Sequence, residues 1–157
     1  MVEKSVRLIL NGGIRKDKEN LYISSKYKEF LYELSMSREI FIKVVGSLGD
    51  SSNQFSDYCL DENFEVETLK KVPLRKSFKV LYYLNVCVKS FLRKHESFSY
   101  IFFPGNLAIS MLPGMIFRNN KYALYLRGEV RYKNIFLNYL AQKILKKAQF
   151  IIATGKN

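Results

Sequence analysis

The second half of the chain alternates two periods, and that alternation leaves few folds open. Residues 77–94 place apolar side chains three and four apart, as a helix does, and 99–103 follow as a short apolar run ending at Pro104-Gly105. Residues 106–117 return to the helical pattern around Pro113. A run over 121–126 then ends at Arg127-Gly128, a helix over 134–147 follows, and a run over 149–153 ends near Gly155. Consecutive strands separated by helices cannot pair as hairpins, so they must lie parallel with crossovers between them. The fold class expected is therefore α/β: a three-layer, open, mainly parallel sheet with helices on both faces.

The first half fits the same plan. Residues 5–11 form an apolar run that Gly12-Gly13 should end, and Tyr27, Phe30, Leu31 and Leu34 mark a helix over 24–35 with Ser24 or Ser25 as its cap. A second strand is expected over 39–45, closed by Gly46. A loop over 47–63 holds a short strand around 55–60, and 64–69 alternates as an edge strand does. No repeat, low-complexity tract or linker divides the chain, so residues 1–157 read as one domain. That length suffices to bury about 70% of the unfolded surface. Gly12, Gly46, Gly105, Gly128 and Gly155 all fall at or just past the expected carboxyl ends of strands. Glycine there makes tight turns, and the same edge is where open parallel sheets bind ligands.

Charge is distributed unevenly. The net charge is +12, yet residues 1–78 hold 13 basic and 12 acidic side chains, while 79–157 hold 13 basic ones and only Glu96 and Glu129. Such a one-sided field attracts phosphate in some form: nucleic acid, anionic headgroups or a phosphorylated substrate. With 48% apolar residues the chain is not disordered. Cys59 and Cys87 are too few for a disulfide framework or a zinc site, and they read as packing residues of a reducing, cytoplasmic protein. The single histidine, His95, reads as a C-terminal helix cap. The start, Met1 to Val6, carries Glu3 and Lys4 and does not read as a signal peptide. Residues 97–117 hold no charge, but Pro104-Gly105 and Pro113-Gly114 interrupt them, so a buried strand and helix fit better than a membrane span.

The strand-end loops carry the candidate chemistry. Asn11-Gly12-Gly13 would let backbone N–H groups approach a phosphate or sugar, although G-x-G-x-x-G and the P-loop pattern are both missing. Pro104-Gly105-Asn106 opens a helix, with Asn106 as its expected N-cap. Arg127-Gly128-Glu129-Val130-Arg131 sets two guanidinium groups beside one of the two acids of this half, either as an anion site or as an ion pair. Asp61-Glu62 and Glu65/Glu67 read as a solvated loop and strand edge.

Between Glu67 and Glu96 stand eight basic residues and no acid. Within the helix of 77–94, Val80, Leu84, Cys87, Val88 and Phe91 read as the core stripe. The face beside it carries Lys79, Tyr82, Val86, Lys89 and Arg93, which reads either as a solvated basic face or as one that meets anionic lipid headgroups.

The order of these pieces resembles the N-terminal Rossmann-like domain of a GT-B glycosyltransferase of the kind that builds bacterial surface polysaccharides. Lys121-Tyr-Ala-Leu-Tyr-Leu-Arg-Gly-Glu129 and Ala148-Gln-Phe-Ile-Ile-Ala-Thr-Gly155 carry the resemblance most specifically. It implies an acceptor-side domain, inactive alone, at the cytoplasmic face of a membrane. The acceptor would be lipid-linked or a polysaccharide, and the donor a nucleotide-sugar. It implies Gly12, Gly13, Gly105, Asn106, Arg127, Gly128 and Glu129 as substrate-binding positions. It also implies a second domain or partner subunit holding most of the donor site, so no cofactor is expected on this domain alone. At Asn106 many such enzymes have His or Asp, and this sequence does not. Two rivals come from other classes: a non-catalytic membrane adaptor that recruits a catalytic half, and a nucleic-acid-binding module, which lacks any helix-turn-helix, zinc finger or RNP motif.

Overall fold

The structure, a computed structural model, describes residues 4–36, 40–49, 57–61, 63–92, 98–127 and 130–154. Its strands are β1 (Lys4–Asp17), β2 (Asn20–Ser24), β3 (Ile40–Leu48), β4 (Asp57–Cys59), β5 (Glu65–Leu69), β6 (Phe98–Phe103), β7 (Tyr122–Arg127) and β8 (Phe150–Thr154). Its helices are α1 (Lys28–Ser35), α2 (Lys76–Leu92), α3 (Asn106–Phe117) and α4 (Ile135–Lys147). The strand–helix rhythm expected of residues 77–153 is present throughout.

Parallel pairing joins β5 to β3, β3 to β1, β1 to β6, β6 to β7 and β7 to β8. The parallel sheet therefore runs β5-β3-β1-β6-β7-β8. Counting only these strands in chain order, that is the 3-2-1-4-5-6 order of a doubly wound nucleotide-binding sheet, so the fold is compatible with a Rossmann-like one. Two antiparallel pairs, β1 with β2 and β2 with β4, make the whole sheet mixed.

The antiparallel part corrects the reading of β1. Gly12-Gly13 does not end the strand. The β1–β3 register slips between Ile9 and Gly13, so a bulge at Leu10–Gly12 bends the strand, which then continues to Asp17. Beyond the bulge β1 turns back through Lys18, at φ 52°, to pair with β2. Gly46 likewise lies inside β3 instead of closing it. Both glycines and Gly49 have steric roles. A Cβ at Gly13 would lie 2.8 Å from the Gly49 Cα, and one at Gly46 would lie 2.8 Å from Ile14 Cγ1.

Two apolar clusters use alternate residues of the same central strands. Leu8, Leu10, Ile42, Val44, Tyr100 and Phe102 join Leu31 of α1 and Ile23 of β2. Ile9, Val45, Ile101, Phe103 and Leu124 join Val86 of α2, most of α3, and Ala141 and Ile144 of α4. The first cluster is rich in rings: Tyr27 meets Phe102 at 4.6 Å and Phe30 meets Tyr100 at 4.5 Å between centroids. In the second, Tyr122 donates a buried hydrogen bond of 2.8 Å to the Ile144 carbonyl. Asn134 caps α4, its side chain accepting from the N–H groups of Phe136 and Leu137.

The uncharged stretch of 97–117 contains all of β6 and α3, and seven of α3's residues are buried. Among the described residues no helix is long and apolar enough to cross a membrane.

The orientation of α2 reverses the expectation. Its buried residues are Val86 and Ser90, and Tyr82 packs partly against the same core. Val80, Leu84 and Val88, expected as core, are 56%, 56% and 55% exposed. Lys79 and Lys89 are exposed as expected, but Lys79 stands in line with Val86 two turns before it and Lys89 at the edge of the buried face. Arg93 and His95 lie outside the described residues. Of the face expected to meet lipid, then, Tyr82 and Val86 turn inward. The reason is close packing: a Cβ at Gly114 of α3 would meet Ser90 Oγ at 2.2 Å and the Ser90 carbonyl carbon at 2.5 Å. A small residue on each helix sets the crossing, and that contact selects the inner face of α2.

Candidate functional site

In a sheet of this order the strand sequence reverses between β1 and β6, and a crevice opens at their carboxyl ends. Here Asn11 stands in the β1 bulge, and Pro104-Gly105 follows β6 across a cis Phe103–Pro104 peptide. The Asn11 Nδ2 donates to the Pro104 carbonyl at 2.6 Å. Gly105 makes room for this bridge, since a Cβ there would lie 2.4 Å from Asn11 Oδ1. The side-chain amide thus ties the two strand ends together at the point of reversal.

Gly105, not Asn106, is the N-cap of α3, and no side chain caps that end. Asn106 is instead the first helical residue, exposed, and its carbonyl accepts from Ser110 Oγ at 2.7 Å. The reason is geometric: Gly105 holds the extended backbone of a cap, at φ −154° and ψ 148°, one residue earlier than expected. Gly105 therefore supplies no side-chain acceptor to the first N–H groups of α3 at the crevice.

A small cavity of about 20 Å³ lies in the crevice, lined by Asn11, Lys26, Tyr27, Phe102, Phe103 and Tyr125. The Lys26 ammonium sits 4.8 Å from the Tyr27 ring centroid. Burial pushes the nearby Tyr100 phenol up to about 12, with the Tyr125 phenol adding to the effect, so that group stays protonated at neutral pH. The aromatic floor is uncharged, and the charge at the rim is the lysine's.

The fold brings Gly12, Gly105 and Asn106 to this crevice. Gly12 is exposed, and a Cβ there would lie 3.5 Å from the Tyr27 hydroxyl, an ordinary contact. Gly13 is packed against Gly49, beyond the bulge. The backbone of Arg127 ends β7 on the same edge, paired with Thr154, while its side chain, Gly128 and Glu129 lie outside the described residues. Arg131 is exposed. Lys26 and Tyr125 were not singled out in the sequence, where nothing marks a lysine or tyrosine as lining a cavity formed by distant strands. Asn11 had a signal, its place just before the glycine pair.

A larger cavity of about 420 Å³ lies between β5 and α2, lined by Glu67, Leu69, Val86, Lys89, Ser90, Leu92 and Met111. Its carboxylate is already engaged, which corrects the reading of Glu67 as solvated. Arg7, 4% exposed in the middle of the sheet, bonds Glu67 at 3.5 Å, and Lys43 lies 3.8 Å from the same oxygen. Lys43 also pairs with Glu65. A guanidinium buried this far is held by such partners, so this cluster serves the sheet. The crevice at β1 and β6 remains the better candidate.

No protein-family model matches the sequence, and no curated protein matches it.

Proposed function

We propose that the chain is the acceptor-side domain of a sugar-transferring enzyme, a three-layer sheet of the GT-B kind that binds a lipid-linked or saccharide acceptor at the β1–β6 crevice. The observation that carries this reading is the strand order with its reversal between β1 and β6. At that point an uncapped helix start, a glycine and a lysine converge. Helix N-termini favour anions, so a phosphate-bearing acceptor suits the α3 end. The aromatic floor under it suits the apolar face of a sugar ring. The donor nucleotide-sugar would be held by a second domain or partner subunit, and the chain alone does not turn over.

Titration of the isotope-labelled chain with a short-chain isoprenyl diphosphate sugar tests this. Amide shifts are expected at Asn11, Gly12, Gly105 and Asn106, and none at Arg7 or Lys43 in the middle of the sheet. Shifts confined to residues around Arg7 and Lys43, no shifts at millimolar ligand, or nucleotide-sugar turnover by the purified chain would overturn it.

A further inference from the structure

The cavity between β5 and α2 is apolar in its depth and carries one uncommitted charge at its mouth. The close contact of Gly114 with Ser90 holds α2 against α3, and the gap lies on the other side of α2, beside β5, the outer strand of the parallel sheet. Its volume of about 420 Å³ falls within the roughly 300–1,000 Å³ of small-molecule sites. Leu69 of β5, Val86 and Leu92 of α2 and Met111 of α3 make the walls apolar. Val86 and Met111 are buried while Lys89 and Leu92 are exposed, so the floor is apolar and the lysine stands at the opening.

Three polar side chains line the cavity, and two are committed elsewhere. Glu67 bonds Arg7 and lies 3.8 Å from Lys43. The Ser90 Oγ donates to the Cys87 carbonyl at 2.7 Å. Lys89 has no ion-pair partner among the described residues. Glu65 and Glu67 are matched by Lys43 and Arg7, so Lys89 leaves the site one positive charge in excess.

We propose that this cavity binds an aliphatic monocarboxylate, its chain against Leu69, Val86 and Met111 and its carboxylate at the Lys89 ammonium. The walls disfavour a polar body, because hydroxyl or amide groups buried there would lack partners. One uncommitted ammonium matches one negative charge and repels a cation. From Val86 to Leu92 the helix rises about 9 Å, a span that suits a chain the length of octanoate. The site shares no lining residue with the β1–β6 crevice, so it stands whether or not the crevice handles sugar.

Methyl labelling of the four methionines places one reporter in the cavity, at Met111, and a control at Met36, the exposed C-cap of α1. Helix α1 packs on the other face of the sheet, through Leu31. Octanoate is expected to shift the Met111 methyl saturably and to leave Met36 in place. Hexanoate should bind about tenfold more weakly, because two buried methylenes are lost. Octylammonium, of equal length and opposite charge, should also bind at least about tenfold more weakly. Lys89→Gln should lower octanoate affinity about fivefold, and Leu92→Ala about threefold. Both positions are exposed, so urea midpoints should stay unchanged and a loss of binding reports the site itself. An unmoved Met111 methyl or an equal shift at Met36 overturns the proposal. So does hexanoate or octylammonium binding as tightly as octanoate, or undiminished octanoate affinity in Lys89→Gln.

Discussion

Helices α2 and α3 are neighbours, both rich in apolar residues and both poor in acids, yet one is enclosed and the other lies half open. In α3 seven of twelve residues are buried, and Leu112 and Met115 have no exposed surface. In α2, nearly half as long again, two are buried and the outward side is as apolar as the inward one. A helix that is apolar all round is normally a core element. Here α3 obeys that rule because strands β1 and β6, helix α2 and helix α4 all contact it. For α2 the described residues provide a cover on one side only. Apolar content therefore does not set enclosure; the number of elements packed around the helix does.

The largest expected effect tests that contrast directly. Leu112→Ala in α3 should cost about 3 kcal/mol of unfolding free energy, while Leu84→Ala in α2 should cost less than about 0.5 kcal/mol, as read by urea denaturation. A loss of about 3 kcal/mol for Leu84→Ala would mean that α2 packs by the face its sequence periodicity first suggests. Next in size is the contact that turns α2. Gly114→Ala pushes a methyl group into the Ser90 backbone and should cost about 2 kcal/mol. Adding Ser90→Gly should restore little, because the Ser90 carbonyl carbon and the Phe91 nitrogen remain in the way. Full rescue would place the conflict in the Ser90 hydroxyl alone.

The smallest of the expected losses above about 0.5 kcal/mol lies beneath α4, outside the pair, and serves as a reference. Tyr122→Phe removes the bond to the Ile144 carbonyl and should cost about 1 kcal/mol near pH 7. Burial pushes the Tyr122 phenol up to about 12 from a usual 10. A group raised in the folded state contributes stability that is whole below about pH 10 and is lost as pH climbs to about 12. Tyr122→Phe should therefore lessen the fall in urea midpoint across that window, with Tyr100 and the other groups that burial pushes up, Tyr58, Tyr82, Cys87 and Tyr132, supplying what decline remains. An unchanged alkaline profile would show that Tyr122 does not titrate with folding.

What the sequence made legible was periodicity and punctuation. The alternation over residues 77–153 yields the parallel strands, and the α3 boundaries match residue for residue, because apolar runs and Pro-Gly pairs are local signals. What it concealed were contacts between distant segments. The face of α2 depends on Gly114 meeting Ser90, and residues 80–91 offer two stripes at helical spacing, so periodicity alone cannot choose between them. Gly12-Gly13 reads as a strand end because glycine usually breaks strands. Only the pairing with β3 and β2 shows a bulge in a strand that continues. Gly105 serves as the cap because Asn11, far away in the chain, occupies the space its side chain would need. Half of the crevice was visible as glycine and asparagine at strand ends, while Lys26 and Tyr125 enter it through tertiary placement alone.

Strand β1 is made first and finished late. Val6 pairs with Ile42 on one side but with Phe98 on the other, about ninety residues further on, which at about 5–20 residues per second is some 5–20 s of synthesis. Throughout that interval a strand whose Leu8, Ile9 and Leu10 end fully buried has at least one edge of unpaired backbone N–H and C=O groups. A nascent chain of this kind is a ready client for a ribosome-associated chaperone, and its yield in a cell should respond to translation speed upstream of residue 98 more than downstream of it.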